Sequence, residues 1–589
     1  MHRTKNKMVK IINTKLLFFL GVFILTASLF AQGYGDNLGG GHKNGGYAYS
    51  TNTDNDGNVY ITGSMQSTNG FYNFCTIKYS QSGSMLWTKT YGGPGIGDDK
   101  AYAIVIDKDA FVYVTGYSTV TGNVHNITTV KYNTNGTQQW AATYTSTGNS
   151  EATAVVVDDK GNVYVCGYTT TASGNINFIT IKYNKSGQQQ WANIYDGTPH
   201  LEDKAYAIVV DKTNNVYVTG YSTVTHSSQN NTDYITIKYK PNGSQEWVAL
   251  YNGTGNGDDK AYAITIDKSN NIYITGSSTV SNGITDCVTI KYKQNGNQKW
   301  LARYHNQGYG AGGNAITVDV RTNVFVTGWA NHVLNGNSDY LTIKYNSDGD
   351  QEWVKIYNGN ANGDDIAKSI TVDNQQNIYV TGSSKMTGPY GIYFHYATVK
   401  YNRSGTQQWC VVYTYDSYED DAYAIAIDYH GNLIVTGASM RNASNYDYAT
   451  VQYSSDGQQR WVARSSTGND DPENGTKETQ ESVNGQEPEH NNISGKNSEQ
   501  ITTEFQLSQN YPNPFNPTTL INYQIPADEF VELKVYDVLG KEVSTLVNEF
   551  KRAGTYKINF NGTALESGVY FYRIKAGNFI DIKKMILVK

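Results

Sequence analysis

One stretch of sequence recurs along most of this chain, and its clearest copy runs from Ala205 to Trp247. The copy opens with two runs of β-branched and aromatic residues, AIVVD and VYVTG, joined by the turn-forming residues KTNN. A third run, YITIKY, alternates apolar and polar residues, and after the turn signal PNG a fourth alternating run contains Trp247. Each copy therefore predicts four antiparallel β-strands in chain order.

Two landmarks count the copies, a glycine that closes the second strand and a tryptophan in the fourth strand, and both recur every 51 to 56 residues. The glycines are Gly63, Gly116, Gly167, Gly220, Gly276, Gly328, Gly382 and Gly437, and the tryptophans are Trp87, Trp140, Trp191, Trp247, Trp300, Trp353, Trp409 and Trp461. Ankyrin and tetratricopeptide repeats are shorter and helical, so they are excluded. The sequence predicts an all-β chain with a β-propeller of eight four-stranded blades at residues 45–464. Seven blades plus a degenerate unit are the alternative, because the first opening strand is polar.

The repeat pattern, A-x-A-I-x-[VI]-D-x-x-x-N-[VI]-Y-[VI]-T-G followed by K-Y-x-x-x-G-x-x-x-W, resembles the bacterial propeller repeat known as SBBP. This resemblance implies a propeller and no particular activity. The G-x-x-x-W element is also similar to the fourth-strand motif of the eight-bladed quinoprotein dehydrogenases, where the tryptophan rings pack between blades. We predict the same structural role for the eight tryptophans here, without a quinone cofactor.

The first residues predict export. Basic residues precede an apolar run from Leu16 to Leu25, and a small residue, Ala31, stands at the predicted cleavage position. We therefore predict a signal peptide at residues 1–31 and no transmembrane segment in the mature chain, because the apolar run is too short to span a bilayer comfortably. The net charge of −6, with only 17% charged residues, gives no basic footprint for nucleic acid.

The last part of the chain predicts a linker and a second domain. Residues 465–503 are acidic and nearly free of aromatic residues, which predicts a disordered linker. Residues 504–589 contain the motifs QNYPNPFNPTT, VYDVLGKEV, SGVYFYR and KKMILVK. They are similar to the C-terminal sorting domain of the type IX (Por) secretion system, and their alternating runs predict a small immunoglobulin-like β-sandwich. The resemblance implies recognition by the outer-membrane translocon and assigns the sorting signal to Tyr511, Pro512, Asn513, Pro514, Phe515, Asn516, Pro517, Gly540, Gly568, Lys583 and Lys584.

An aspartate ends the opening strand of every repeat and is usually followed four residues later by asparagine. We predict that these carboxylates accept backbone N–H groups of the hairpin turns. They are Asp54, Asp107, Asp158, Asp211, Asp267, Asp319, Asp373 and Asp428.

A pair of acidic residues precedes the first strand in five of the eight repeats and is absent from the first, third and sixth. If these pairs lie on one face, they form an acidic rim that can recruit calcium or a cationic ligand, which makes the rim the best candidate site in the sequence. The interpretation that we favour is that each pair faces solvent or caps the backbone of the neighbouring blade. The predicted ligands are Asp99, Asp203, Asp259, Asp365 and Asp420.

The remaining chemistry-bearing residues fit no catalytic or metal-binding motif. The four cysteines are scattered, which predicts small buried hydrophobic residues. Seven histidines lie mostly in turns and variable segments, and we interpret them as solvated loop residues. They are His125, His200, His226, His305, His332, His395 and His430.

These features predict a secreted or surface-attached propeller. We expect it to act as a non-enzymatic binding or adhesion module for protein or polysaccharide. Variable polar loops on a rigid scaffold favour recognition, and abundant tyrosine and asparagine suit sugar contacts. The alternatives are a secreted propeller enzyme, such as a polysaccharide lyase, a hydrolase or a quinoprotein-like enzyme, and a structural surface or motility component.

Overall fold

The computed structural model of this 589-residue chain describes two ranges of residues. They are 44–466, with gaps at 121, 123, 281–282, 333–335, 389–390, 416–417 and 443–444, and 505–588, with gaps at 509, 511–512, 514, 527–528, 539, 552–553, 564 and 577–578. The predicted signal peptide and nearly all of the predicted linker lie outside these ranges. The described residues form strands and no helix, which confirms the all-β prediction. The chain divides into two compact units, Met1–Gln486 and Glu487–Lys589.

Each sequence repeat forms four consecutive strands, and each strand pairs antiparallel with the next. The strands of the first four repeats are β1 (Asn44–Thr53), β2 (Val59–Gln66), β3 (Tyr72–Tyr79), β4 (Met85–Tyr91), β5 (Lys100–Ile106), β6 (Val112–Thr119), β7 (His125–Tyr132), β8 (Gln138–Tyr144), β9 (Ser150–Val157), β10 (Val163–Thr170), β11 (Ile176–Tyr183), β12 (Gln189–Tyr195), β13 (Asp203–Val210), β14 (Val216–His226), β15 (Gln229–Tyr239) and β16 (Gln245–Tyr251).

The later repeats continue the same order. Their strands are β17 (Asp259–Ile266), β18 (Ile272–Thr279), β19 (Thr285–Tyr292), β20 (Gln298–Tyr304), β21 (Ala311–Val318), β22 (Val324–Asn331), β23 (Ser338–Tyr345), β24 (Gln351–Tyr357), β25 (Asp365–Val372), β26 (Ile378–Gly388), β27 (Gly391–Tyr401), β28 (Gln407–Tyr413), β29 (Asp420–Ile427), β30 (Leu433–Asn442), β31 (Asn445–Tyr453) and β32 (Gln459–Ser465).

The burial of the strands gives each sheet an inner and an outer edge. The first strands of successive repeats contact one another, and β29 contacts β1. The second strands are almost wholly buried, whereas a fourth strand such as β8 alternates exposed and half-buried residues. Alternation is typical of a strand with one face in water. The first strands therefore line the inside of the arrangement and the fourth strands its outside, as in a β-propeller.

A shared carbonyl joins each sheet to the next. Trp247 Nε1 and Lys238 Nζ both donate hydrogen bonds to the backbone oxygen of Gln294, which lies in the turn between the third and fourth strands of the following repeat, at 3.1 and 3.0 Å. Gly296 of the same turn lies against the Trp247 ring and has a φ of +86°. The lysine and tryptophan share one acceptor in the same way at six other junctions. Each repeat therefore depends on its successor for the burial and hydrogen bonding of its tryptophan.

The last repeat meets the first at a junction with different contacts. Trp461 Nε1 donates to the Gln81 backbone oxygen at 3.0 Å, and β1 pairs in parallel with β31 through Asn44 and Gly45. The Thr53 hydroxyl donates to the Ile427 carbonyl oxygen at 3.2 Å. This bond gives a physical reason for one of the polar residues in the opening strand of the first repeat.

The C-terminal unit consists of two antiparallel sheets that share one hydrophobic core. Its strands are β33 (Gln506–Leu507), β34 (Thr518–Ile525), β35 (Glu529–Tyr536), β36 (Glu542–Lys551), β37 (Gly554–Asn561), β38 (Gly568–Ala576) and β39 (Phe579–Leu587). One sheet has the order β33-β34-β37 and the other β36-β35-β38-β39. Elsewhere in the chain, all four cysteines are free and buried, as the sequence predicts.

The tryptophan junction yields a stability prediction. Trp247→Ala removes a large apolar ring and one hydrogen bond, so we expect a loss of about 3 kcal/mol in the free energy of unfolding. For a propeller of this size that loss lowers the thermal midpoint by roughly 3 °C in calorimetry of the full chain. Leu250→Ala is the control, because Leu250 lies on the same strand but is 48% exposed. An equal shift in both variants would contradict the assigned role of the junction.

A pair of glycine variants separates backbone strain from contact with the tryptophan. A Cβ at Gly296 lies 2.9 Å from the Trp247 ring, whereas a Cβ at Gly283, where φ is +75°, meets no atom within 4 Å. Gly296→Ala and Gly283→Ala both place alanine at positive φ. We expect Gly296→Ala to lower the thermal midpoint more than Gly283→Ala, and equal shifts would exclude the ring contact as a cause.

Candidate functional site

The hairpin turn between the first and second strands is built around its aspartate. Asp211 Oδ1 accepts the backbone N–H groups of Thr213 and Asn215 at 2.8 and 2.9 Å, and Oδ2 accepts the Asn215 amide and the Tyr217 hydroxyl. Burial favours the neutral acid, but these donors outweigh it and lower the pKa of Asp211. The backbone bonds recur at all eight equivalent aspartates, which confirms the predicted turn role.

The turns of four consecutive repeats surround a cavity of about 900 Å³, which we call the turn-face cavity. The ends of five successive first strands supply its aliphatic lining. Those residues are Ile106, Val157, Val210, Ile266 and Val318. The turns between the first and second strands of the second to fifth repeats contribute Lys108, Lys160, Lys212 and Lys268, and the turn between the third and fourth strands of the third repeat adds Lys185. An apolar lining with a few polar groups at its edge is the usual composition of a ligand site.

The carboxylates that line this cavity differ in whether their oxygens are free to contact a ligand. Asp107, Asp158, Asp211 and Asp267 line it, but their oxygens accept the turn hydrogen bonds described above. Asp109 and Asp159 are exposed. These two are therefore the only cavity carboxylates, among the residues that the structure describes, whose oxygens are not committed to a turn.

The predicted acidic rim has a different geometry from the one expected. Asp259 is completely buried; its Oδ2 accepts the Gly253 N–H at 2.5 Å and its Oδ1 accepts the Thr279 N–H at 2.8 Å. It thereby ties the connection from the preceding repeat to the end of the second strand. Asp99, Asp203 and Asp365 make the same two bonds. Asp420 instead contacts the Ser439 hydroxyl, His395 and the Tyr415 N–H.

The residue before the buried carboxylate binds the preceding repeat. Asp98 accepts the Tyr72 N–H, Asp258 accepts the Thr232 N–H and Asp364 accepts the Ser338 N–H, all on the third strand of the preceding repeat. In the third repeat, which lacks the acidic pair, Asn149 accepts the His125 N–H in the same manner. Within 44–466 and 505–588, apart from their gaps, no three histidine, cysteine or acidic residues are grouped closely enough to hold a metal ion. The five carboxylates of the predicted calcium site are therefore backbone acceptors at separate junctions.

Most of the histidines are partners of carboxylates, which corrects their interpretation as solvated loop residues. His226 contacts Asp233 at 2.9 Å, His305 contacts Asp286 at 2.8 Å, and His395, 4% exposed, contacts Asp420 at 3.2 Å. His200 and His125 also lie within 3.5 Å of acidic side chains. His226 precedes Asp233 by seven residues on a paired hairpin, so its contact could be read from strand register. His395 and Asp420 lie in neighbouring repeats, and no local sequence signal connects them.

The buried carboxylates make stability depend on pH. Burial raises the pKa of Asp365 to about 6 from 3.8, although Ser384 and two backbone N–H groups favour the charged form. The folded state then binds a proton between these values that the unfolded state does not bind. The stabilisation from this group is therefore complete below the unfolded pKa and is lost as pH rises through about 6.

We expect this loss to show as a difference between the wild type and Asp365→Asn. From about pH 4 to about pH 7 the thermal midpoint of the wild type falls relative to that of the variant, because asparagine stays neutral throughout. Asp348→Asn is the control for the loss of one carboxylate at the surface, because the Asp348 side chain is 72% exposed. A constant difference between wild type and Asp365→Asn would contradict the raised pKa.

The two ends of the sorting domain are bound together. Asn513 Oδ1 accepts the Ile586 N–H at 2.8 Å, and Asn513 Nδ2 donates to the Lys584 carbonyl oxygen at 3.2 Å. Phe515, 2% exposed, pairs in parallel with Leu587. Gly540 adopts a φ of +79° in the turn headed by Asp537. The other predicted sorting residues in the described ranges are Asn516, Pro517, Gly568, Lys583 and Lys584, whereas Tyr511, Pro512 and Pro514 lie outside them.

Asn513→Ala removes both hydrogen bonds to the terminal strand. We expect the C-terminal unit to lose about 1–2 kcal/mol of stability and β39 to exchange its amide hydrogens faster, as measured by mass spectrometry. Asn516→Ala is the matched control, because Asn516 is exposed and makes no hydrogen bond with the described residues. Unchanged exchange in Asn513→Ala would show that the asparagine does not hold the terminal strand.

Family models match both parts of the chain. A model described as secretion system C-terminal sorting domain matches residues 509–589, and the SBBP β-propeller repeat model matches residues 197–226, 246–284 and 352–386. Among the residues that the structure describes, none forms a helix with the length and apolarity needed to cross a membrane.

Individual relatives are distant. An uncharacterized WD repeat-containing protein of Acanthamoeba polyphaga mimivirus is 21% identical over 463 residues, which is 63% of this chain and 31% of that protein. This chain thus spans about a third of the length of that relative. The β-propeller domain of the Trilobed protease from Pyrococcus furiosus is similar with a TM-score of 0.33 and 6% identity, over 64% of this chain and 97% of that chain.

PorZ, a surface component of the type IX secretion system of Porphyromonas gingivalis, is similar with a TM-score of 0.29 and 11% identity, over 92% of this chain and 81% of that chain. The matched models agree with the repeat and sorting motifs in the sequence. The chain therefore carries β-propeller repeats of the SBBP type and ends in a type IX sorting domain, which indicates secretion to the cell surface.

Proposed function

We propose that this protein is a non-enzymatic binding or adhesion module that captures a polysaccharide or protein ligand at the cell surface or beyond. The observation that carries the proposal is the turn-face cavity, with its volume of about 900 Å³, aliphatic lining and turn lysines. A volume of this order accommodates a ligand of several sugar rings or a few peptide residues. Export by the type IX translocon brings such a site to the outside of the cell.

The architecture that we propose is a closed ring of eight blades followed by an immunoglobulin-like sandwich. The contact of β29 with β1 and the hydrogen bond from Trp461 to Gln81 support closure after the eighth repeat. Two sheets over one core support the sandwich. A closed ring holds the turns at fixed positions, so a ligand meets a preorganised surface and less ordering entropy is lost on binding.

Binding is favoured over catalysis by the state of the cavity carboxylates. Four of its aspartates are held by turn hydrogen bonds, which leaves Asp109 and Asp159 as the candidates for a general acid and base. Both are exposed to water, whereas catalytic carboxyl groups usually lie in enclosed, partly dry surroundings. The enzyme alternative therefore depends on these two residues, and variants of them test it.

A panel of surface glycans and secreted proteins tests the proposal with the full chain. We expect at least one ligand to bind without any product appearing over prolonged incubation, by mass spectrometry of the glycan or peptide. Asp159→Trp fills part of the cavity and is expected to weaken binding at least tenfold. Asn135→Trp is the control, because Asn135 lies in an exposed turn outside the cavity lining.

Three results would count against this function. Failure of every ligand to bind, or equal binding by Asp159→Trp and the wild type, would overturn the cavity as a binding site. Product formation that is lost in Asp109→Asn or Asp159→Asn, while binding persists, would instead establish an enzyme.

A further inference from the structure

Four lysines from the turns of consecutive repeats line the turn-face cavity, and we call them the lysine arc. Lys108, Lys160, Lys212 and Lys268 come from the turns of four consecutive repeats, and all four residues are exposed. None of their ammonium groups has an ion pair or hydrogen bond with the part of the chain that the structure describes. The cavity also contains the exposed carboxylates Asp109 and Asp159, which follow Lys108 and Lys160 directly in sequence. Lys212 and Lys268, whose turns carry no exposed carboxylate, are therefore the positive charges most available to an anionic ligand.

The ammonium group of Lys131, which lines this cavity from strand β7, already has partners within the protein. Lys131 Nζ lies 4.2 Å from the Phe111 ring centre and 4.9 Å from that of Tyr113, and it donates to the Lys185 carbonyl oxygen. The ammonium group of Lys131 therefore lies over both aromatic rings of the cavity, Phe111 and Tyr113. These rings are not free to stack on a nucleobase, which single-stranded nucleic acid binding usually requires.

Amides stand beside the lysine arc. Asn214 and Asn270 occupy left-handed turn positions, with φ of 63° and 61°, and their side chains bond to no other residue that the structure describes. An amide side chain can donate to and accept from a hydroxyl group. Beneath the amides and lysines, the aliphatic ends of the first strands provide a surface for C–H groups.

We propose that the turn-face cavity binds an anionic polysaccharide, one whose sugar rings carry carboxylate or sulfate groups. The lysine arc pairs with the anionic groups, the two asparagines bind ring hydroxyls, and the aliphatic lining contacts the C–H faces of the rings. A linear polymer with charges at regular intervals matches cations that repeat from blade to blade. This inference rests on the proposed binding function and names its ligand class.

The polar and apolar groups of the cavity favour a glycan over an acidic polypeptide. A polypeptide of aspartate or glutamate pairs with the lysines equally well, but it offers no row of hydroxyls to Asn214 and Asn270. Ion pairs at an exposed site contribute little each and are screened by salt. Selectivity for the glycan therefore comes from the amides and the aliphatic lining.

The experiment measures binding of the full chain to four polymers by titration calorimetry and affinity electrophoresis. Polygalacturonate carries carboxylates, dextran sulfate carries sulfates, dextran is neutral, and poly-glutamate is an acidic polypeptide. We expect polygalacturonate or dextran sulfate to bind at least tenfold more tightly than dextran and poly-glutamate. Raising salt from about 50 mM to about 200 mM weakens that binding by roughly tenfold, because several ion pairs are screened together.

Charge variants assign the binding to the lysine arc. Lys212→Glu and Lys268→Glu each weaken binding on the order of tenfold, whereas Lys212→Arg retains it because the charge stays. Lys240→Glu is the matched control, with the same change of charge at an exposed turn position outside the cavity lining. Asn270→Ala weakens glycan binding but leaves any residual poly-glutamate binding unchanged.

The outcomes separate this inference from the broader proposal. Tight binding of dextran that is indifferent to the lysine variants would overturn the anionic ligand and keep the binding function. Tightest binding to poly-glutamate would assign the cavity to an acidic polypeptide and overturn the glycan. Equal losses in Lys240→Glu and Lys212→Glu would overturn the cavity as the anion site. If none of the four polymers binds, the inference fails, and the wider ligand panel then decides the binding function.

Discussion

The structure depends on one contact that every repeat makes with its neighbour. A tryptophan packs against a glycine turn of the next sheet, and in seven of the eight repeats it donates to the same carbonyl oxygen as the lysine of its own third strand. Neither sheet satisfies these groups alone, because the ring and the carbonyl lie on different repeats. Stability is thus a sum over junctions, as in other repeat architectures, and a single repeat has no reason to fold in isolation.

Carboxylates accept backbone N–H groups on both faces of the propeller, but the two faces differ in the charged groups that stay exposed. On one face, the turn aspartates bind backbone N–H groups within their own hairpin. On the other, residues such as Asp259 and Asp258 bind the connection and the preceding third strand. Asp259 and its equivalents are buried, and Asp258 accepts a backbone N–H group, so these carboxylates are already engaged within the protein. The turn face keeps its lysines in solvent, and for this reason it holds the better candidate site.

Much of the fold could be predicted from local patterns, whereas the site could not. The strand order, the turn aspartates and the sorting motifs follow from residues close together in sequence. Burial of Asp365 and pairing of His395 with Asp420 depend on how one repeat lies against another, which no local pattern encodes. The lysine arc could not be predicted from the sequence for the same reason. Lys108 and Lys212 are ordinary turn residues in sequence, and their importance comes from four turns meeting around one cavity.

The junction between the last and first repeats has a consequence for how the chain folds. The bond from Trp461 to the Gln81 carbonyl spans 380 residues, while the other tryptophan bonds span about one repeat. Gln452 stands where the other repeats have their lysine, and it donates to Asp428 of its own repeat. Closing so long a loop costs more chain entropy than any neighbouring contact, so this seam forms last. Until the final repeat is present, the β1 edge of the first sheet remains open to other chains, and formation of the seam ends that exposure.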